Sequence, residues 1–200
     1  TALFNRALAK RMRDDLQGAI DDYTAVTELP EAPVEMVAQA LFNRGAAKSD
    51  VGRNFDALAD WTSILTLACV PAEPCIRAGS LALRETFDRD DAKGLALVVE
   101  ALNQWLTRLA PDDRTSRMLD LLIALARPKA ERAWVHAFDH LVKDPAEEMS
   151  AQLQVLHPVA EILATGDRTK LDSLAPEQRD FALDVLKRFK PPENSDASPA

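Results

Sequence analysis

Histidine, cysteine, glycine and tyrosine are all scarce in this 200-residue chain: three, two, six and one, respectively. Two cysteines make no disulfide framework, so a reducing, cytoplasmic setting is expected. Cys69 and Cys75 also match neither the spacing of a zinc pair nor that of a redox pair. His136 and His140 stand four apart, as zinc ligands on a helix can. Ala137 occupies the place where the metalloprotease motif needs its glutamate, and His157 belongs to another helix. No Gly-rich phosphate loop or nucleophile elbow is present. Asp88, Asp90 and Asp91 lack the glycine and distal glutamate of a calcium loop and read as helix caps. The expectation is therefore no enzyme and no cofactor. No Lys/Arg cluster offsets the net charge of −8, which argues against nucleic acid and anionic membrane surfaces as partners. No apolar run approaches the ~20 residues of a membrane-spanning helix, and there is no signal peptide.

What the chain does have is repetition. Ala2-Leu3-Phe4-Asn5-Arg6 returns as Ala40-Leu41-Phe42-Asn43-Arg44, an offset of 38 residues from Ala2 to Ala40. The same offset pairs Ala9 with Ala47, Lys10 with Lys48, Ala19 with Ala57, Asp22 with Asp60, Thr24 with Thr62 and Pro33 with Pro71. A fixed period of this size marks one supersecondary unit stacked on itself. Within a unit the apolar residues recur at helical spacing in two stretches. The second stretch reads Leu16, Ala19, Tyr23 and Val26 in one unit and Phe55, Leu58, Trp61 and Ile64 or Leu65 in the next. Pro33 and Pro71 stand where a first helix begins, and Gly52 breaks the pattern between helices. Each unit is therefore two antiparallel amphipathic helices that must stack to bury their faces.

The residues Ala7, Asp14, Ala19, Tyr23 and Pro30, and then Gly45, Gly52, Ala57 and Trp61, give this pattern a family likeness. The chain resembles the tetratricopeptide repeat family, with units of 38 rather than 34 residues and with Lys10 and Lys48 in place of a large apolar residue. The resemblance implies an all-α, right-handed solenoid of helix-turn-helix repeats over 1–109. Its units are 1–39, 40–77 and a degenerate 78–109, where Ala78-Gly79-Ser80-Leu81 replaces the repeated phrase. The second helix of the third unit is expected over Ala92–Leu109, capped by Asp90 or Asp91. The register also implies about six residues of the first helix upstream of Thr1, as in an array cut from a longer, bacterial-looking protein.

Residues 110–190 read as a C-terminal helical region that caps the array, with helices at Arg114–Ala126, Pro128–Lys143, Ala146–Ala164 and Pro176–Phe189. The tail 191–200 has the composition of disorder.

In the resembling family the first helices line a concave face that grips a peptide or helix. The implied contacts are Phe4, Asn5, Leu8, Phe42, Asn43, Ala46 and Arg77, with Phe4 and Phe42 either anchoring a partner or packing between units. Asn5 and Asn43 match a carboxylate-gripping subset, but that subset's lysine positions hold Thr1 and Gln39, leaving Arg77 as the nearest cation. The alternative is that the two asparagines hydrogen-bond to neighbouring first helices. Arg6 with Asp22, and Arg44 with Asp60, are expected to pair across the two helices of a unit. The function expected is a protein-binding module. The alternative is a self-association or spacer element attached to an upstream effector domain.

Overall fold

Alanine- and leucine-rich segments, punctuated by Asp, Gly and Pro, form helices throughout the described part of the chain. The computed structural model describes residues 2–125, 155, 158–159, 161–162 and 167–188, in two units, 1–110 and 111–200. The first unit contains α1 (Ala2–Met12), α2 (Leu16–Thr27), α3 (Val34–Asp50), α4 (Asn54–Thr66), α5 (Ala72–Asp88) and α6 (Ala92–Thr107). Consecutive helices pack on one another, and α4 also packs on α6 and α3 on α5. The result is three hairpins in series, with α1, α3 and α5 as first helices.

The turn inside each hairpin repeats with the sequence period. Met12, Asp50 and Asp88 end the first helices, each 38 residues after the last (50 − 12 and 88 − 50). Two residues later Asp14, Gly52 and Asp90 all take positive φ, at 64°, 80° and 52°. This left-handed step lets the next amide turn back onto the helix end. Asp15 N donates to Lys10 O at 2.9 Å, Arg53 N to Lys48 O at 2.8 Å and Asp91 N to Thr86 O at 2.9 Å. The third hairpin, degenerate in sequence, thus keeps the period in its backbone. Asp91 rather than Asp90 caps α6, accepting from Gly94 N, and Asp15 caps α2 in the same way. The hairpins begin ahead of the sequence units, at Val34 and Ala72, each preceded by its proline as N-cap.

Small residues bring the paired helices together. Ala7, Ala19 and Ala57 are fully buried, and Gly45 is buried under the Trp61 ring. A Cβ on Gly45 would lie 2.5 Å from Trp61 Nε1. The same indole N–H donates to Phe42 O at 3.2 Å, so the ring is fixed and cannot retreat. In the first hairpin Tyr23 fills the matching place within a core of Ala7, Ala19, Val26 and Ala40. Ala40 belongs to the second hairpin, so this core is shared between hairpins. At the far end of α4, the Arg108 guanidinium donates to Leu65 O and Thr66 O. It meets orphan carbonyls and the negative end of the helix dipole together.

In the second unit, α7 (Pro111–Leu125) begins one turn before the expected Arg114. A short 3-10 helix (Arg168–Ser173) and α8 (Pro176–Arg188) follow further along. Thr169 N donates to the Asp167 carboxylate to cap the 3-10 helix. Arg179 Nε on α8 donates to Leu171 O at 2.9 Å and ties the two together. The expected helix Pro128–Lys143, most of Ala146–Ala164 and the tail 191–200 lie outside the described residues. No described helix is long and apolar enough to cross a membrane.

Gly45→Ala is expected to cost about 2 kcal/mol, the typical penalty for forcing a methyl into filled space. Urea denaturation of the purified variant measures it; an unchanged midpoint would show that the indole does not fix this helix spacing.

Candidate functional site

The first helices carry the residues that the repeat places on one face, and charge holds those helices against their partners. Asp22 on α2 is 4% exposed and Asp60 on α4 likewise, so each buried carboxylate needs compensation. Arg6 supplies a two-pronged fork to Asp22, Nε and Nη2 each at 2.7 Å, and Lys10 Nζ adds a second cation at 2.9 Å. Arg44 repeats the fork on Asp60 at 2.9 and 2.7 Å, with Lys48 Nζ at 2.8 Å. The expected Arg–Asp pairs are therefore present. Each is a triad whose lysine occupies the position where the resembling family has a large apolar residue. The signal was visible: lysine recurs in register with the arginine and the aspartate. In the third hairpin the same offset leads to Ala82, Thr86 and Val98, all buried. The triad is lost there as a set, leaving no buried charge without a partner.

The Arg6 fork holds the Asp22 carboxyl down at about 2, from an ordinary 3.8; burial opposes this and the Lys10 contact adds to it. The Cys75 thiol moves the other way. It is buried and aimed at Ile64 O, and burial raises it to about 11, so it stays protonated and inert. Cys69 is exposed in the preceding loop. No group of three potential metal ligands occurs among the described residues, and His136, His140 and His157 lie outside them.

Neighbouring first helices are linked side by side. Arg11 Nη2 meets Asp50 Oδ2 at 3.1 Å between α1 and α3, and Ser49 Oγ donates to Glu85 Oε2 at 3.4 Å between α3 and α5. The Arg77 guanidinium of α5 sits 4.7 Å from the centroid of the Phe42 ring of α3 and reaches Glu73 at 3.5 Å. This cation–π contact brings together two residues singled out from the sequence. Arg77 remains 59% exposed, with Phe42, Asn43 and Ala46 half-buried on the adjoining helix. Asn5 and Leu8 are exposed on α1.

Phe4 does something else. It packs edge-on against Tyr23, centroids 5.7 Å apart, and joins the first hairpin's core. Of its two sequence readings, structural packing is the one observed. The alternative reading of the asparagines fails: among the described residues neither Asn5 nor Asn43 hydrogen-bonds through its side chain to a neighbouring first helix. Arg84, one helical turn or two beyond Arg77, was not singled out, yet it is exposed on the same helix.

No protein-family model, curated protein or solved structure matches the chain.

Arg44→Ala should destabilise the protein by about 3 kcal/mol, because Asp60 is then left buried with half its compensation. Changing Arg44→Ala, Lys48→Thr and Asp60→Val together copies the third hairpin and should cost less than the single change. Denaturation midpoints of the single and triple variants decide this; a triple variant weaker than the single one refutes the set-wise reading.

Asp22 has a depressed folded-state pKa. Its stabilising contribution is thus complete above the ordinary carboxylate value and is lost as pH falls from about 4 towards about 2. Unfolding free energy followed across that window should fall more steeply for wild type than for Asp22→Asn. Parallel curves would assign the acid sensitivity to other carboxylates.

Proposed function

We propose that the hairpins of residues 2–107 form a right-handed, tetratricopeptide-like solenoid. It binds a peptide or helix of a protein partner on the concave face made by α1, α3 and α5. The observation that carries this reading is the Phe42–Arg77 contact. It joins two successive first helices through a ring and a cation that both keep accessible surface. Interface energy concentrates on such aromatic and arginine side chains. Around them Asn5 and Asn43 offer amide donors and acceptors that no described neighbour consumes, and Leu8 and Ala46 offer modest apolar area. The supporting helices are held by buried triads and a shared core, so the face is preformed and little ordering cost falls on binding.

In this reading the partner lies across several first helices, and affinity accumulates over successive hairpins. The module acts by holding its partner rather than by transforming it, in a cytoplasmic setting and without a cofactor.

Selection of a displayed peptide library on the purified protein tests this. Peptides enriched on wild type should bind an Asn43→Ala/Arg77→Ala variant at least about tenfold more weakly, since each lost anchor is worth on the order of 1 kcal/mol or more. Equal binding to both proteins would place recognition elsewhere on the molecule.

A further inference from the structure

The repeat provides an internal image of a complex. In the second hairpin, the strip Ala40–Arg44–Ala47 of α3 is closed over: Ala40 and Ala47 are 0% exposed and the Arg44 side chain is 14% exposed. Helix α2 packs on α3, and Ala40 joins the core built around Tyr23 and Val26 of that helix. The remaining arm of the guanidinium is also claimed by α2. Arg44 Nη1 donates to Thr24 Oγ1 at 3.1 Å and to Thr27 Oγ1 at 3.2 Å. Both hydroxyls spend their own hydrogens on the α2 backbone, Thr24 on Ile20 O and Thr27 on Thr24 O, each at 2.8 Å. Their oxygens are therefore left as acceptors facing the arginine.

The equivalent strip of the first hairpin, Ala2–Arg6–Ala9 on α1, has the same residues at the same spacing and is open. Ala2 and Ala9 are exposed, and Arg6 is 59% exposed. Arg6 makes the same fork to its aspartate, and its Nη1 is given no acceptor among the described residues. Lys10 beside it is 32% exposed where Lys48 is 12%. The surface is thus small-residued and cationic, with an unspent donor at its centre. Its complement is known from the other hairpin.

We propose that the α1 strip Ala2–Arg6–Ala9 is a second docking surface. It takes an amphipathic helix from a separate partner polypeptide that presents two Ser/Thr hydroxyls three residues apart, flanked by an aromatic and a β-branched residue. The two alanines let the incoming backbone approach closely, as they do under α2. The hydroxyl pair accepts the free arm of Arg6, and any carboxylates on the incoming helix are drawn by Arg6 and Lys10. This surface is distinct from the face carrying Phe42 and Arg77, and it does not depend on that face binding anything.

The probe is a peptide of residues 14–29 of this chain, stapled to hold it helical, titrated into the full protein by calorimetry or fluorescence anisotropy. Saturable binding is expected, weakened about tenfold when the peptide carries Thr24→Ala and Thr27→Ala, the worth of hydrogen bonds to a charged donor. On the protein side, Ala9→Gln changes an exposed residue and should leave the thermal melt unmoved while lowering peptide affinity at least about tenfold. Arg6→Lys keeps the charge on Asp22 but removes the free arm, and should also weaken binding. No saturable binding, or equal affinity for wild type and Ala9→Gln, overturns the proposal. So does concentration-dependent self-association in sedimentation that Ala9→Gln abolishes, since the strip would then belong to a second copy of the chain.

Discussion

A helix hairpin covers only part of its own apolar surface, and the hairpins of this protein depend on one another to cover the rest. The clearest instance is the core around Tyr23. Its walls come from α1 and α2, but Ala40 closes it from the next hairpin. Folding one unit therefore completes the neighbouring unit. Where an unpaired face remains, as on α1, residues that are sealed elsewhere in the repeat stand in water. The exposure of Arg6 and the closure of Arg44 are one fact seen at two places in the stack.

Charge is managed within the same constraint. A carboxylate between two packed helices is tolerable only with its cations in place, and in the first two hairpins two cations serve one carboxylate. The third hairpin shows the other solution. Ala82, Thr86 and Val98 remove every member of the triad, and Thr86 turns its hydroxyl onto Leu83 O of its own helix. An intermediate state with one member missing would bury an uncompensated charge, which explains why the positions change together. Buried ion clusters are weak contributors to net stability compared with apolar packing. What the triads do fix is which residues of α1 meet α2, and α3 meet α4.

Much of the hairpin architecture was legible in the sequence, and for local reasons. The repeated phrase, the prolines at 33 and 71, and Gly52 each act through the backbone of a few neighbouring residues, so spacing alone located α1 to α4. The Arg–Asp pairs were legible because their separation recurs. The third hairpin was less so. Its turn is held by main-chain hydrogen bonds and by Asp90 in a left-handed conformation, features that tolerate almost complete change of side chains. A side-chain comparison fades there while the backbone period continues. The lysines of the triads read as departures from a pattern, because nothing in one dimension shows that they converge on an aspartate from the side opposite the arginine.

By itself the sequence determined the helical class, the period and the identity of the groups that pair across each hairpin, because these follow from residue spacing along a helix of fixed pitch. Tertiary structure decided which of those residues remain available. Phe4 and Phe42 occupy the same place in the repeated phrase, yet Phe4 is drawn into the Tyr23 core while Phe42 lies under the Arg77 cation. Arg6 and Arg44 share every local neighbour, yet only Arg44 has α2 above it. Accessibility is a property of what stands next in the stack, and equivalent residues diverge in role because their neighbours differ.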